Sequence, residues 1–119
     1  MQSAELPFSQ AVSRSVTSAT AAAGGELLLL DNRFDPDMAV RNAEQFVEKQ
    51  VDPVLEFQAE ESMGPQVAHI FKSADIPVIA IDVPHPNSTY FGLYNFECGV
   101  EAGNLLAQHA LNHWKGRVD

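Results

Sequence analysis

A single cysteine, Cys98, in 119 residues leaves no intrachain disulfide to form and excludes a metal cluster built on cysteines. Basic residues are scarce as well. Seven Lys and Arg, scattered along the chain, stand against sixteen Asp and Glu, giving a formal net charge of −9. A nucleic-acid surface needs clustered cations, so nucleic acid is not an expected partner. No apolar run approaches the ~20 residues of a membrane span. Met1-Gln-Ser-Ala-Glu5 lacks a basic segment followed by a hydrophobic one, so no secretion signal is expected here. Neither a Gly-x-Gly-x-x-Gly loop nor a Walker-type lysine occurs, which speaks against nucleotide cofactors, and no cofactor is expected.

What is present is a repeating alternation of apolar runs and amphipathic stretches. From Pro7 to about Ala23, Phe8, Ala11, Val12, Ser15, Val16 and Ala19 recur at three and four, one face of a helix that Gly24-Gly25 ends. Leu27 to Leu30 reads as a buried strand that halts at Asp31. Asp35 is a good N-cap for the next helix, with Pro36 at its first position and an end near Gln50. Val54 to Phe57 is a short strand ending at Gln58, and a helix follows from about Ser62 to Ala74. Residues 77–82 hold the most apolar strand, Val78 to Ile81, without polar alternation and stopped at Asp82 by Pro84 and Pro86. Thr89 to Tyr94 is a further β-prone element leading to Asn95. A last helix spans about 96–114, with Gly99 and Gly103 small enough for close approach to a sheet.

Strands and helices alternating at about 20–25 residues predict right-handed βαβ units and a parallel sheet. The fold class is therefore α/β, one three-layer α/β/α domain over 1–119, Rossmann-like, with a first strand missing or vestigial. Strand ends of such a sheet share one edge, where open α/β folds collect ligands. Asp31, Gln58, Asp82 and Asn95 fall on it together. Other candidates carry structural explanations. His109 and His113 lie four apart but read as a solvated helix face. Asp35 and Asp37 read as helix capping, and Cys98 as a packed thiol.

The order and spacing of five segments resemble the amino-terminal lobe of type I periplasmic sugar-binding proteins, the ribose- and galactose-binding group. The segments are Pro7-Phe8, residues 27–36, Ala43 to Pro53, Ile76 to Asp82, and Asn95 to Gly99. The resemblance covers roughly residues 6–115. It implies an aromatic that stacks on a sugar ring, by position Phe8, and an Asp that accepts sugar hydroxyl bonds, by position Asp82. Val83 stands where ribose-type members often carry a basic residue, which counts against pentose specificity. The resemblance further implies a sugar or small polar solute as ligand, the membrane permease of an ABC importer as partner, a periplasmic location and no enzymatic activity. Half of a two-lobed enclosure is expected to bind weakly and to self-associate as a homo-oligomer. Two other readings stay open: a fragment of the effector-binding domain of a lactose-repressor-like regulator, and a small flavodoxin-like enzyme.

Overall fold

The computed structural model describes residues 5–57 and 61–115. Pro7–Ala22 forms helix α1, with proline in its first turn and Gly24, at φ 74°, just beyond its end. That left-handed conformation comes without strain only in glycine, which is why the helix stops there. Pro36–Glu48 is α2. The Asp35 carboxylate caps it by accepting from the backbone N–H groups of Asp37 and Met38. Capping thus accounts for the Asp-Pro-Asp sequence. Next come β1 (Val54–Glu56), a 3₁₀ turn (Glu61–Met63) and α3 (Gly64–Ser73). Strand β2 (Val78–Ile81), strand β3 (Thr89–Phe91) and α4 (Asn95–Trp114) complete the chain.

The three strands lie in the order β1-β2-β3, and both pairings are parallel. The register sets Val54 beside Val78, Glu56 beside Ala80, and Ile81 beside Phe91. Alternation then divides the strands between two faces. Val54, Glu56, Val78 and Ala80 face one way, while Leu55, Ile79, Ile81 and Phe91 face the other. The first face meets α2 and α3, and the core sits there: Ala39, Ala43, Val54, Val67 and Phe71, with Phe46, Val47, Ile70 and Ile76 packed around them. The second face is bordered by α1 across a groove. This is the α/β arrangement of a parallel sheet flanked by helices.

Three sequence expectations need correction. Leu27 to Leu30 joins no strand ladder, and Leu27, Leu28 and Leu29 are about 40% exposed. Parallel pairing is non-local, so an apolar β-branched or leucine run becomes a strand only when a neighbour is there to bond it. Between this segment and β1 lies a groove of about 820 Å³, lined by Val12, Val16, Leu28, Leu55 and Phe57 among others. Gly99 and Gly103 do not bring α4 against the sheet, since added Cβ atoms there would meet only open space. Finally, Cys98 is exposed rather than packed.

Candidate functional site

Because the strands run parallel, their carboxyl ends form one edge. Asp82 follows Ile81 there, with its side chain exposed and no hydrogen bond to the described residues. Its backbone is in the left-handed region at φ 60°, and its N–H donates to the Phe91 carbonyl at 3.0 Å. The next turn is fastened to it. The Tyr90 hydroxyl donates to the Leu93 carbonyl at 3.0 Å and lies 3.4 Å from the Asp82 carbonyl. The Asn95 N–H shares the Leu93 acceptor at 3.0 Å. A Cβ at Gly92 would run into the Tyr90 hydroxyl and lie 3.1 Å from the Asp82 Cα, so a side chain there would displace the Tyr90 ring from this turn. Asp82 and Asn95 are thereby held at the same end of the sheet.

Phe8 is 55% exposed and meets Phe57 edge-to-face, with ring centroids 5.8 Å apart. This pair stands where β1 ends. Asp31 is half-buried, and its carboxylate accepts from the Arg33 N–H at 3.0 Å, which folds the turn back on itself. Gln58 lies outside the described residues. Of the candidates, then, Phe8, Asp82 and Asn95 occupy the carboxyl edge as open groups, while Asp31 is engaged in its own turn. An aromatic pair with an unengaged carboxylate and amide offers an apolar ring face and hydroxyl-binding edges at once.

Sequence reasoning missed a buried polar chain beneath this edge. The Asn42 amide donates to the Asp31 carbonyl at 3.0 Å and to Asn32 Oδ1 at 2.8 Å. Asn32 in turn donates to Glu56 Oε1 at 3.4 Å. All three side chains are buried. One signal was available: Glu56 occupies the inward position of an apolar strand. Burial pushes the Glu56 carboxyl up from its ordinary value of 4.5, and the Asn32 hydrogen bond pulls it only part of the way back.

A raised folded-state value means that the stabilising contribution is complete below the ordinary value and is lost as pH rises through the folded value. Glu56→Gln keeps an acceptor for Asn32 without the charge. It is expected to raise stability at pH 7, because the buried charge is gone. It should also flatten the decline of unfolding temperature above pH 4.5. Thermal unfolding of both proteins between acid and neutral pH checks this; identical slopes would show that Glu56 does not set the decline.

His85 is buried with neither ring nitrogen bonded among the described residues, and burial pulls its value below 6.5. Its contribution therefore runs the other way, falling as the solution is acidified below 6.5. Gly64 lies against it so closely that a Cβ would sit 2.7 Å from Nδ1. Glu56 and His85 both border a cavity of about 330 Å³ beside α3, and no hydrogen bond joins them. His109 and His113 stack at 4.2 Å on the surface of α4, and no group of three metal-ligating side chains occurs among the described residues. No described helix is long and apolar enough to cross a membrane. No family model matches the chain, and no curated protein matches it.

Proposed function

We propose that this chain is a lobe that binds a sugar or a similar small polar solute at the carboxyl edge of its sheet, without turnover of its own. The observation that supports this most is the open Asp82 carboxylate at the end of β2, on the same edge as the exposed Phe8 ring and its half-buried partner Phe57. A pyranose has apolar C–H faces and hydroxyl rims. An aromatic takes the first and a carboxylate the second, while Asn95 adds an amide that can both donate and accept. The sequence resemblance extends the proposal to a periplasmic solute-binding protein that delivers its ligand to an importer permease.

One lobe covers only one side of a small ligand, whereas enclosed sites bury most of it. Binding is therefore expected to be weak, with a Kd near about 1 mM, or ~4 kcal/mol. Saturation-transfer NMR with D-galactose, D-glucose and D-ribose tests the reading. Transfer from aromatic protons to sugar ring protons is expected. Phe8→Ala and Asp82→Ala are each expected to weaken binding about 5- to 10-fold, ~1–1.4 kcal/mol. Absence of transfer with all three sugars, or transfer that survives both substitutions, would count against the edge as a sugar site.

A further inference from the structure

Helix α4 carries an apolar stripe that, Ala110 apart, the described residues leave uncovered. At 100° per residue, Phe96, Val100, Leu106, Leu111 and Trp114 fall within one arc with Gly99, Gly103 and Ala107. Glu97, Glu101, Gln108 and Asn112 lie on the opposite side. Phe96 is 84% exposed and Leu106 57%. Among the described residues no helix or strand packs along α4. Protein helices draw most of their stability from packing an apolar face, so α4 needs a surface to cover its stripe.

The sheet's second face has a vacancy toward β3: Leu55 and Ile81 line the groove that α1 borders, while Phe91 beside Ile81 is 70% exposed. The connection between β3 and α4 is only residues 92–94, and it is pinned by the Tyr90 hydroxyl and by the Tyr90–Tyr94 ring contact. So fixed, it directs α4 away from its own sheet, and the chain reaches 62 Å along its longest axis. The radius of gyration is 18.8 Å, against about 13–14 Å for a compact domain of this length.

We propose that a second copy of this chain covers the vacancy, each copy laying its α4 stripe on the partner's Leu55–Ile81–Phe91 face. The surface area supports a second copy as the occupant. The chain exposes 8395 Å², while a folded monomer of this mass exposes about 6,300 Å². The excess, about 2,000 Å² per chain, is in the range each subunit of an obligate dimer buries. Reciprocal exchange closes the assembly on a twofold axis and leaves no stripe exposed at either end.

Sedimentation equilibrium of the whole chain tests the exchange. A mass of twice 13.0 kDa is expected at micromolar concentration. Leu106→Glu on the stripe and Phe91→Glu on the face change side chains exposed in the single chain. Each alone is expected to weaken dimerisation at least about 10-fold. If Leu106→Glu lowers the far-ultraviolet helix signal, Leu111→Glu takes its place. Mixing a stripe variant with the face variant restores one sound contact, because the intact stripe of one chain meets the intact face of the other. A heterodimer in that mixture is the result expected of exchange. A single-chain mass for the wild type, dimers that survive both substitutions, or a mixture that stays monomeric would each overturn it.

Discussion

Phe71→Ala is expected to remove about 3–5 kcal/mol of stability, the usual cost of emptying a buried phenylalanine site. The reason lies in how thin the core is. Among the described residues eight apolar ones are buried, and five of them are alanines, so Phe71, only 1% exposed, is the one large side chain at their centre. It comes from the inner face of α3, rests against the Phe46 ring at 6.3 Å, and fills the space between Ala39 and Ala43 of α2 and Val54 of β1. Neighbouring alanines have no side chain to extend into the space, so little of the cavity can collapse. Small domains hold about 5–15 kcal/mol in all, and the variant is expected to lose most of its cooperative transition in urea. Phe34→Ala, 57% exposed in the turn before α2, is the control and should stay within about 0.5 kcal/mol. A loss below about 1 kcal/mol for Phe71→Ala would place the core elsewhere.

Asn42→Ala is expected to cost about 2–3 kcal/mol, through polar groups rather than volume. Its amide serves two buried acceptors, the Asp31 carbonyl and Asn32 Oδ1. Removing it strands both, and the price of an unsatisfied buried group is about 1–3 kcal/mol. Asn32 also loses the contact that aims it at Glu56. Asn42→Asp should be worse than alanine, because it replaces the donor with a carboxylate near an already buried acid. Urea midpoints of the two variants check the order; an aspartate variant as stable as wild type would show that the chain of amides contributes nothing.

Much of the fold was legible from local chemistry. Pro7, Gly24, Asp35 and Pro36 mark helix limits by conformations and hydrogen bonds that need no distant partner, and the observed helices begin and end at or within two residues of them. Val78 to Ile81 reads as a strand buried on both faces; it is a strand, the middle one of three, with Ala80 fully buried and its neighbours aligned in parallel as the alternation predicts. Leu27 to Leu30 has the same apolar character yet forms no strand, because sequence reports what a strand could bury and not whether a neighbouring strand aligns with it. Gly99 and Gly103 misled for a related reason: small residues permit close approach without compelling it. At the edge, the position of Asp82 followed from a strand ending, whereas the β element expected over 89–94 stops at Phe91 and Asn95 opens α4. Their coupling through Tyr90 and Gly92 was not legible, since it depends on a turn geometry that residue types do not announce. The Asn42–Asn32–Glu56 chain spans three elements and was visible only as an acid in an inward strand position.

Chemical-shift mapping with D-galactose, followed on the backbone amides of the isotope-labelled chain, tests the edge as the ligand site most directly. Concentration-dependent shifts are expected at Phe8, Phe57, Asp82 and Asn95, with the amides of α2 and α3 unmoved. Shifts confined to the cavity beside α3, at His85 and Lys72, or no shifts at a concentration well above about 1 mM, would contradict a sugar site on the carboxyl edge.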